Sequence, residues 1–158
     1  MNRDLNNKFS WKTATFMAKL SYHAYDGLDE FKKVFKKDWD IKFFDWGGTE
    51  CFILSCPKNY IVSFRGTQAT SWEDIKADIN VHKSKREYQP NNSGTGSFGK
   101  VHSGFRHALN DIWDNLLEDY TKNGKGKQLL VTGHSLGGAL ATLYTDRIND
   151  PKSVCYTF

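Results

Sequence analysis

One pentapeptide combines a hydroxyl side chain with two glycines at a spacing that suits covalent catalysis. Gly133, Ser135 and Gly137 fit the pattern G-x-S-x-G, in which the serine occupies a sharp turn between a strand and a helix. A serine held there presents its hydroxyl at a helix N-terminus, where free amides and the helix dipole favour an oxyanion. The pattern predicts attack on a carbonyl carbon by Ser135, with the Leu136 amide as an oxyanion donor.

The flanking residues supply the elements that such a turn needs. Residues 128–132 form an apolar run without polar alternation, which is typical of a strand buried on both faces. Residues 136–149 are predicted to form a helix. Glycine suits positions 133 and 137, because side chains there would collide as the chain doubles back. An incidental serine in a glycine-rich turn is the alternative, and the strand before and helix after favour catalysis.

His134 is the tempting general base, since it is the neighbour of Ser135 in the sequence. On a tight turn, however, adjacent side chains point in different directions. We therefore expect His134 to have a structural role.

The rest of the chain predicts one domain, residues 1–158, with a mixed order of elements. Strands are expected at 41–46, 50–56, 60–65 and 153–158, helices at 10–25, 71–82 (capped by Ser71) and 104–120, and a loop at 83–100. Tight turns between the first strands predict antiparallel pairing. The later alternation of helix and strand predicts a parallel sheet covered by helices.

Several of these segments together resemble one family. The stretch GHSLGGA at 133–139 resembles the nucleophile segment of the class 3, fungal triacylglycerol lipase-like family in the α/β-hydrolase superfamily. VSFRGT at 62–67 resembles its strand and oxyanion loop, VHSGF at 101–105 the opening of its next helix, and VCYTF at 154–158 the strand after the nucleophile helix. The resemblance runs from about residue 14 to the last residue.

The resemblance implies an incomplete α/β-hydrolase fold: a mostly parallel central sheet flanked by helices, with the C-terminal strands missing. It makes Thr67 the oxyanion-loop residue, whose N–H and hydroxyl would act with Leu136 on the tetrahedral intermediate. Residues 70–81, with Trp72 and Ile75, fall where the family carries its lid, and a plain surface helix is the alternative. His102 matches a position that we interpret as structural.

The rest of a catalytic triad does not follow Ser135. In α/β-hydrolases the acid and then the histidine come after the serine, yet the 23 residues after Ser135 contain no histidine. Asp146, eleven residues along the nucleophile helix, would lie roughly 16 Å away. We therefore expect the acid and base beyond Phe158, in a continuation of the gene or in another chain, and a truncated domain without useful activity.

These features predict a serine carboxylic ester hydrolase acting on acyl esters such as triacylglycerol, with interfacial contact to lipid. Phospholipid, galactolipid and simple esters also suit the visible residues. The alternative is a non-catalytic, lipase-like remnant that binds lipid or a protein partner. No metal or organic cofactor is implied.

Composition excludes other classes. The formal charge of +4 comes largely from lysines near 32–37 and 83–86, which we assign to solvated surface because no nucleic-acid motif accompanies them. Three cysteines at irregular spacing indicate reduced thiols. The polar N-terminus and the lack of a long apolar window predict neither a signal peptide nor a membrane span, so we expect a cytoplasmic protein or leave the compartment open.

A second glycine motif matches a nucleotide-binding pattern but lacks its sequence context. Gly94, Gly96 and Gly99 fit the phosphate-covering loop of protein kinases, G-x-G-x-x-G-x-V. No strand leads into it, and no other kinase motif follows. We interpret this segment as a loop without a nucleotide.

Overall fold

The computed structural model describes residues 8–66, 83–85 and 100–158. The helices are α1 (Trp11–His23), α2 (Leu28–Phe35), α3 (Ser103–Asp119) and α4 (Leu136–Ile148), with a 3₁₀ turn at Ala24–Asp26 and a π turn at Tyr120–Gly124. The strands are β1 (Asp40–Trp46), β2 (Thr49–Ser55), β3 (Asn59–Phe64), β4 (Lys83–Lys85), β5 (Lys100–His102), β6 (Gln128–Gly133) and β7 (Val154–Thr157).

Five strands form the central sheet, in the order β1-β2-β3-β6-β7. The pairs β1–β2 and β2–β3 are antiparallel, whereas β3–β6 and β6–β7 are parallel. The antiparallel start and the parallel continuation are both as predicted. With helices against both faces, this mixed sheet confirms the α/β-hydrolase fold class.

Each face of the sheet has its own hydrophobic core. Alternate residues of β2 point to opposite faces, so that Ile53 belongs to the core under α3 and α4 and Leu54 to the core under α1 and α2. All six residues of β3 and the last five of β6 are buried. For β6 this burial agrees with the apolar run at 129–131, which has no polar alternation.

Helix α1 is attached to the strand that leads into the G-x-S-x-G turn. The Ser21 and Thr132 hydroxyl oxygens lie 2.8 Å apart in the buried interface, and the Thr132 hydroxyl donates to the Tyr156 carbonyl over 2.9 Å. At the other end of the helix, the Ser10 hydroxyl accepts from the Thr13 amide over 3.0 Å and caps it. Residue 132, one position before the turn, is therefore fixed by a helix on one side and by β7 on the other.

Some local predictions need correction. The segment 83–100 is not loop at its ends, because β4 and β5 pair there as a short antiparallel ladder. The helix predicted at 104–120 ends at Asp119 and continues as the π turn. Other predictions lie outside the described residues. They are the helix at 71–82, the lid segment at 70–81, Thr67 and the glycines of the kinase-like motif, Gly94, Gly96 and Gly99.

Two further findings concern cysteines and membranes. All three cysteines are free thiols, with Cys51 buried, as their spacing predicted. Among the helices that the structure describes, none combines the length and apolar character that crossing a bilayer requires.

Candidate active site

The backbone at Ser135 has a conformation that non-glycine residues rarely adopt. Its φ is 54° and its ψ −123°, and Asn149, at a helix C-terminus, is the other non-glycine residue with positive φ in the described part of the chain. Such a conformation costs on the order of 1–3 kcal/mol and persists when the surrounding structure imposes it. Strain at this serine, between β6 and α4, is the geometry that the motif predicts.

Glycine is required on both sides of the serine, for two different steric reasons. A Cβ at Gly133 would lie 2.1 Å from the carbonyl oxygen of Gly137, across the turn itself. A Cβ at Gly137 would lie 2.5 Å from the Phe64 carbonyl oxygen, at the end of β3. The prediction of a collision within the turn is confirmed for Gly133, whereas Gly137 is needed for close packing of α4 against the neighbouring strand.

Hydrogen bonds from the last residue of the chain fix the turn from the β7 side. The Ser135 amide donates to the Phe158 carbonyl over 2.8 Å, and the Phe158 amide donates to the Gly133 carbonyl over 3.1 Å. Parallel pairing between β6 and β7 thus continues past the end of both strands. This support involves residues 23 and 25 positions apart, and the motif does not predict it.

Ser135 lies at the N-terminus of α4, as its N-cap residue. Ser135 is solvent-exposed. Leu136 is the first residue of α4, and the next two amides, of Gly137 and Gly138, donate to the carbonyls of His134 and Ser135. As the first amide of a 13-residue helix, Leu136 N–H is available beside the hydroxyl, where the helix dipole also favours negative charge.

Sequence reasoning missed Tyr25, which lies next to this turn. Its hydroxyl oxygen is 3.1 Å from Nδ1 of His134 and 3.4 Å from the His134 carbonyl oxygen, and the two rings meet edge to face. His134 therefore faces Tyr25, in agreement with the structural role predicted for it. The sequence predicts Tyr25 as the last residue of a helix at 10–25, whereas α1 ends at His23. The 3₁₀ turn after His23 redirects it.

A pocket of about 290 Å³ lies beside the start of α4. It is lined by the turn at 47–50, by Arg65 and Gly66 after β3, by Ala108 of α3, and by Leu136 and Leu140 of α4. An ion pair between Arg65 and Glu50 forms part of its wall. Because this volume is at the lower end for ligand sites and the lining contains paired charges, we do not assign it to an acyl chain.

The acidic residues after Ser135 are occupied elsewhere or distant along the helix. Asp150 accepts a hydrogen bond from the Tyr120 hydroxyl and another from the Lys152 amide, beyond the C-terminal end of α4. Asp146 is exposed, eleven residues along α4. The side chain of His102 lies outside the described residues. Within the described ranges, no group of three His, Cys, Asp or Glu side chains could hold a metal ion.

A family model for lipase (class 3) matches residues 61–158, which is more than half of the chain. The chain belongs to the class 3 lipase family. The match covers β3, the serine turn and β7, so the segments that suggested the family from sequence lie within it. No curated protein matches the chain significantly.

Solved lipase structures share the fold of this class 3 chain. A structure of Rhizomucor miehei triacylglyceride lipase matches with a TM-score of 0.62 and 22% identity, over 92% of this chain and 60% of that one. A triacylglycerol lipase described as having a serine protease triad at its catalytic centre gives 0.63 and 22%, over 92% and 60%. A triacylglycerol lipase from Penicillium expansum gives 0.60 and 21%, over 90% and 57%. The chain thus spans about three fifths of the length of these lipases.

Proposed function

We propose that the chain carries the nucleophile of a serine carboxylic ester hydrolase, with Ser135 as that nucleophile. The observation that carries the proposal is the strained backbone of Ser135, with φ at 54°, on an exposed turn that opens α4. Strain of this kind is retained where function requires it. Membership of the class 3 lipase family supports the same chemistry.

In the proposed reaction Ser135 Oγ attacks the acyl carbon of an ester while a histidine base takes its proton. The carbonyl π bond opens, and its electron pair becomes an oxyanion, which the amides of Leu136 and Thr67 stabilise. Collapse of this intermediate breaks the bond to the alcohol, which leaves with the proton from the histidine. Water then attacks the acyl-enzyme by the same steps in reverse and releases a carboxylic acid. Each oxyanion donor contributes about 3 kcal/mol to stabilisation of the transition state.

Acyl esters of lipids, such as triacylglycerol, are the proposed substrates. The matched structures from Rhizomucor miehei and Penicillium expansum are of triacylglyceride and triacylglycerol lipases. An exposed serine at the carboxyl edge of the sheet is accessible to a lipid surface. We propose interfacial contact with lipid at this edge.

The acid and base of the triad are proposed to lie outside these 158 residues. The sequence after Ser135 contains no histidine, and Asp150 already accepts hydrogen bonds from Tyr120 and Lys152. Since loss of the base alone lowers turnover by about a millionfold, the nucleophile half by itself should be almost inactive.

We expect the 158-residue chain to hydrolyse p-nitrophenyl butyrate and tributyrin no faster than its Ser135→Ala variant. Both rates are measured in parallel with the product of the same gene translated to its natural stop codon. That product should contain an aspartate or glutamate and then a histidine after Ser135, and it should hydrolyse both esters. Turnover by the 158-residue chain that Ser135→Ala removes would show instead that the chain holds its own base.

The alternative is a lipase-like remnant that binds lipid or a protein partner without catalysis. The lack of a histidine after Ser135 supports this alternative as strongly as it supports a triad completed outside the 158 residues. A natural stop codon directly after Phe158, with no second chain that restores turnover, would support the remnant over the enzyme.

A further inference from the structure

Tyr25 touches both segments that carry the proposed oxyanion donors. Its hydroxyl lies against the backbone of His134, one residue before the nucleophile, and against Gly66, where an added Cβ would lie 2.2 Å from the hydroxyl oxygen. Gly66 immediately precedes Thr67, and His134 is two residues before Leu136. One side chain therefore contacts the start of the oxyanion loop and the start of the nucleophile helix.

The approach on the Gly66 side is too close for any other residue. A Cβ at Gly66 would lie 2.2 Å from the Tyr25 hydroxyl oxygen and 2.7 Å from the His134 carbonyl oxygen. Three groups from separate parts of the chain therefore meet at van der Waals distance. Because these groups are in close contact at the edge of the sheet where the site lies, the distance between Gly66 and the His134 backbone is fixed by packing.

The hydroxyl has the right hydrogen-bonding capacity for a bridge. A phenol has one proton to donate and lone pairs to accept with, so it donates to the His134 carbonyl and can accept from a backbone amide at Gly66. Burial raises the pKa of Tyr25, and the Arg65 guanidinium and the Gly66 hydrogen bond partly oppose that rise. The phenol therefore stays protonated at neutral pH and retains both functions.

We propose that Tyr25 is a positioning residue, whose hydroxyl sets the distance between the loop that begins at Gly66 and the turn that carries Ser135. The inference rests on the proposed function, because the value of that distance is to place the amides of Thr67 and Leu136 around one oxyanion. A displacement of about 1 Å at such a site can lower turnover by about a hundredfold.

The first test uses the 158-residue chain and needs no turnover. In Tyr25→Phe, which keeps the ring, we expect hydrogen exchange of the Gly66 amide to become about tenfold faster, with NMR shift changes at the amides of Gly66, His134 and Leu136. Tyr22→Phe is the matched control, because Tyr22 is a tyrosine three residues earlier, in α1, and is 70% exposed. Unchanged shifts and exchange in Tyr25→Phe would overturn the proposal. So would an unprotected Gly66 amide in the unsubstituted chain, which is measured without any variant.

The second test uses the gene product that contains the acid and base. Tyr25→Phe should lower kcat about ten- to a hundredfold, with KM changed less than twofold and the thermal midpoint close to that of Tyr22→Phe. Equal kcat in the two variants would overturn the positioning role. If Ser135→Ala left turnover intact, the proposed function would fail, whereas the NMR contacts of Tyr25 would still be observed.

Discussion

Ser135→Ala is expected to lower kcat about a millionfold in the gene product that contains the acid and base. The substitution removes only the hydroxyl oxygen that would bond to the acyl carbon. Alanine retains the Cβ at this position, so the turn and the first amides of α4 stay in place. The variant should therefore still bind substrate, with KM within about threefold of the unsubstituted protein, because the substitution removes the attacking atom and leaves the binding surface.

The matched control for this substitution is Ser55→Ala. Ser55 pairs with Tyr60 at the start of β3, and therefore lies at the edge of the sheet opposite to Gly133. Its kcat should stay within twofold of the unsubstituted protein. Full turnover in Ser135→Ala, measured with p-nitrophenyl butyrate under the same conditions, would remove Ser135 from the chemistry.

Gly133→Ala should have the largest effect on folding. The added methyl group would lie 2.1 Å from the Gly137 oxygen and 2.2 Å from the Gly137 carbonyl carbon. Both atoms belong to the backbone of α4, so no side-chain rotation relieves the overlap and the helix must move away from the strand. We expect a loss of more than about 4 kcal/mol in the free energy of unfolding, measured by urea titration. That is a large part of the 5–15 kcal/mol typical of a domain.

Gly126→Ala separates this overlap from the ordinary effect of replacing glycine. Gly126 has a φ of 88°, and a Cβ there would meet nothing within 4 Å. Its substitution should cost about 1–2 kcal/mol through left-handed strain alone. If the two variants were equally stable, the close contact across the turn would be absent from the folded protein.

The site could be predicted from sequence where it depends on neighbouring residues. A strand, a glycine-flanked serine and a helix follow one another within 128–149, so the turn and the Leu136 amide could be placed from local pattern alone. The burial of β6 was also predictable, because a strand covered on both faces lacks polar alternation.

The contacts that hold the turn were not predictable in the same way. The bonds between Ser135, Phe158 and Gly133 depend on the parallel register of β6 and β7. Tyr25 reaches His134 across 109 positions. Its position at the end of the helix predicted at 10–25 does not indicate this contact. Contacts of this kind depend on how elements pack in the fold, which periodicity does not report.

Errors of the sequence prediction concerned element ends and three short elements that were not predicted, α2, β4 and β5. The strands β4 and β5 have three residues each and mixed polarity, so no alternation marks them within a polar segment. The helix α3 ends in a π turn at Tyr120–Gly124, where a Cβ at Gly124 would overlap the ring of Tyr120.

The most direct test of the account is the structure of a covalent adduct. The gene product with its acid and base is treated with an alkyl fluorophosphonate, and the modified residue is located by peptide mass spectrometry and crystallography. We predict phosphorus bonded to Oγ of Ser135, with the phosphoryl oxygen about 2.7–3.1 Å from the amide nitrogens of residues 67 and 136. Labelling at another residue, or a phosphoryl oxygen turned away from both amides, would contradict the account.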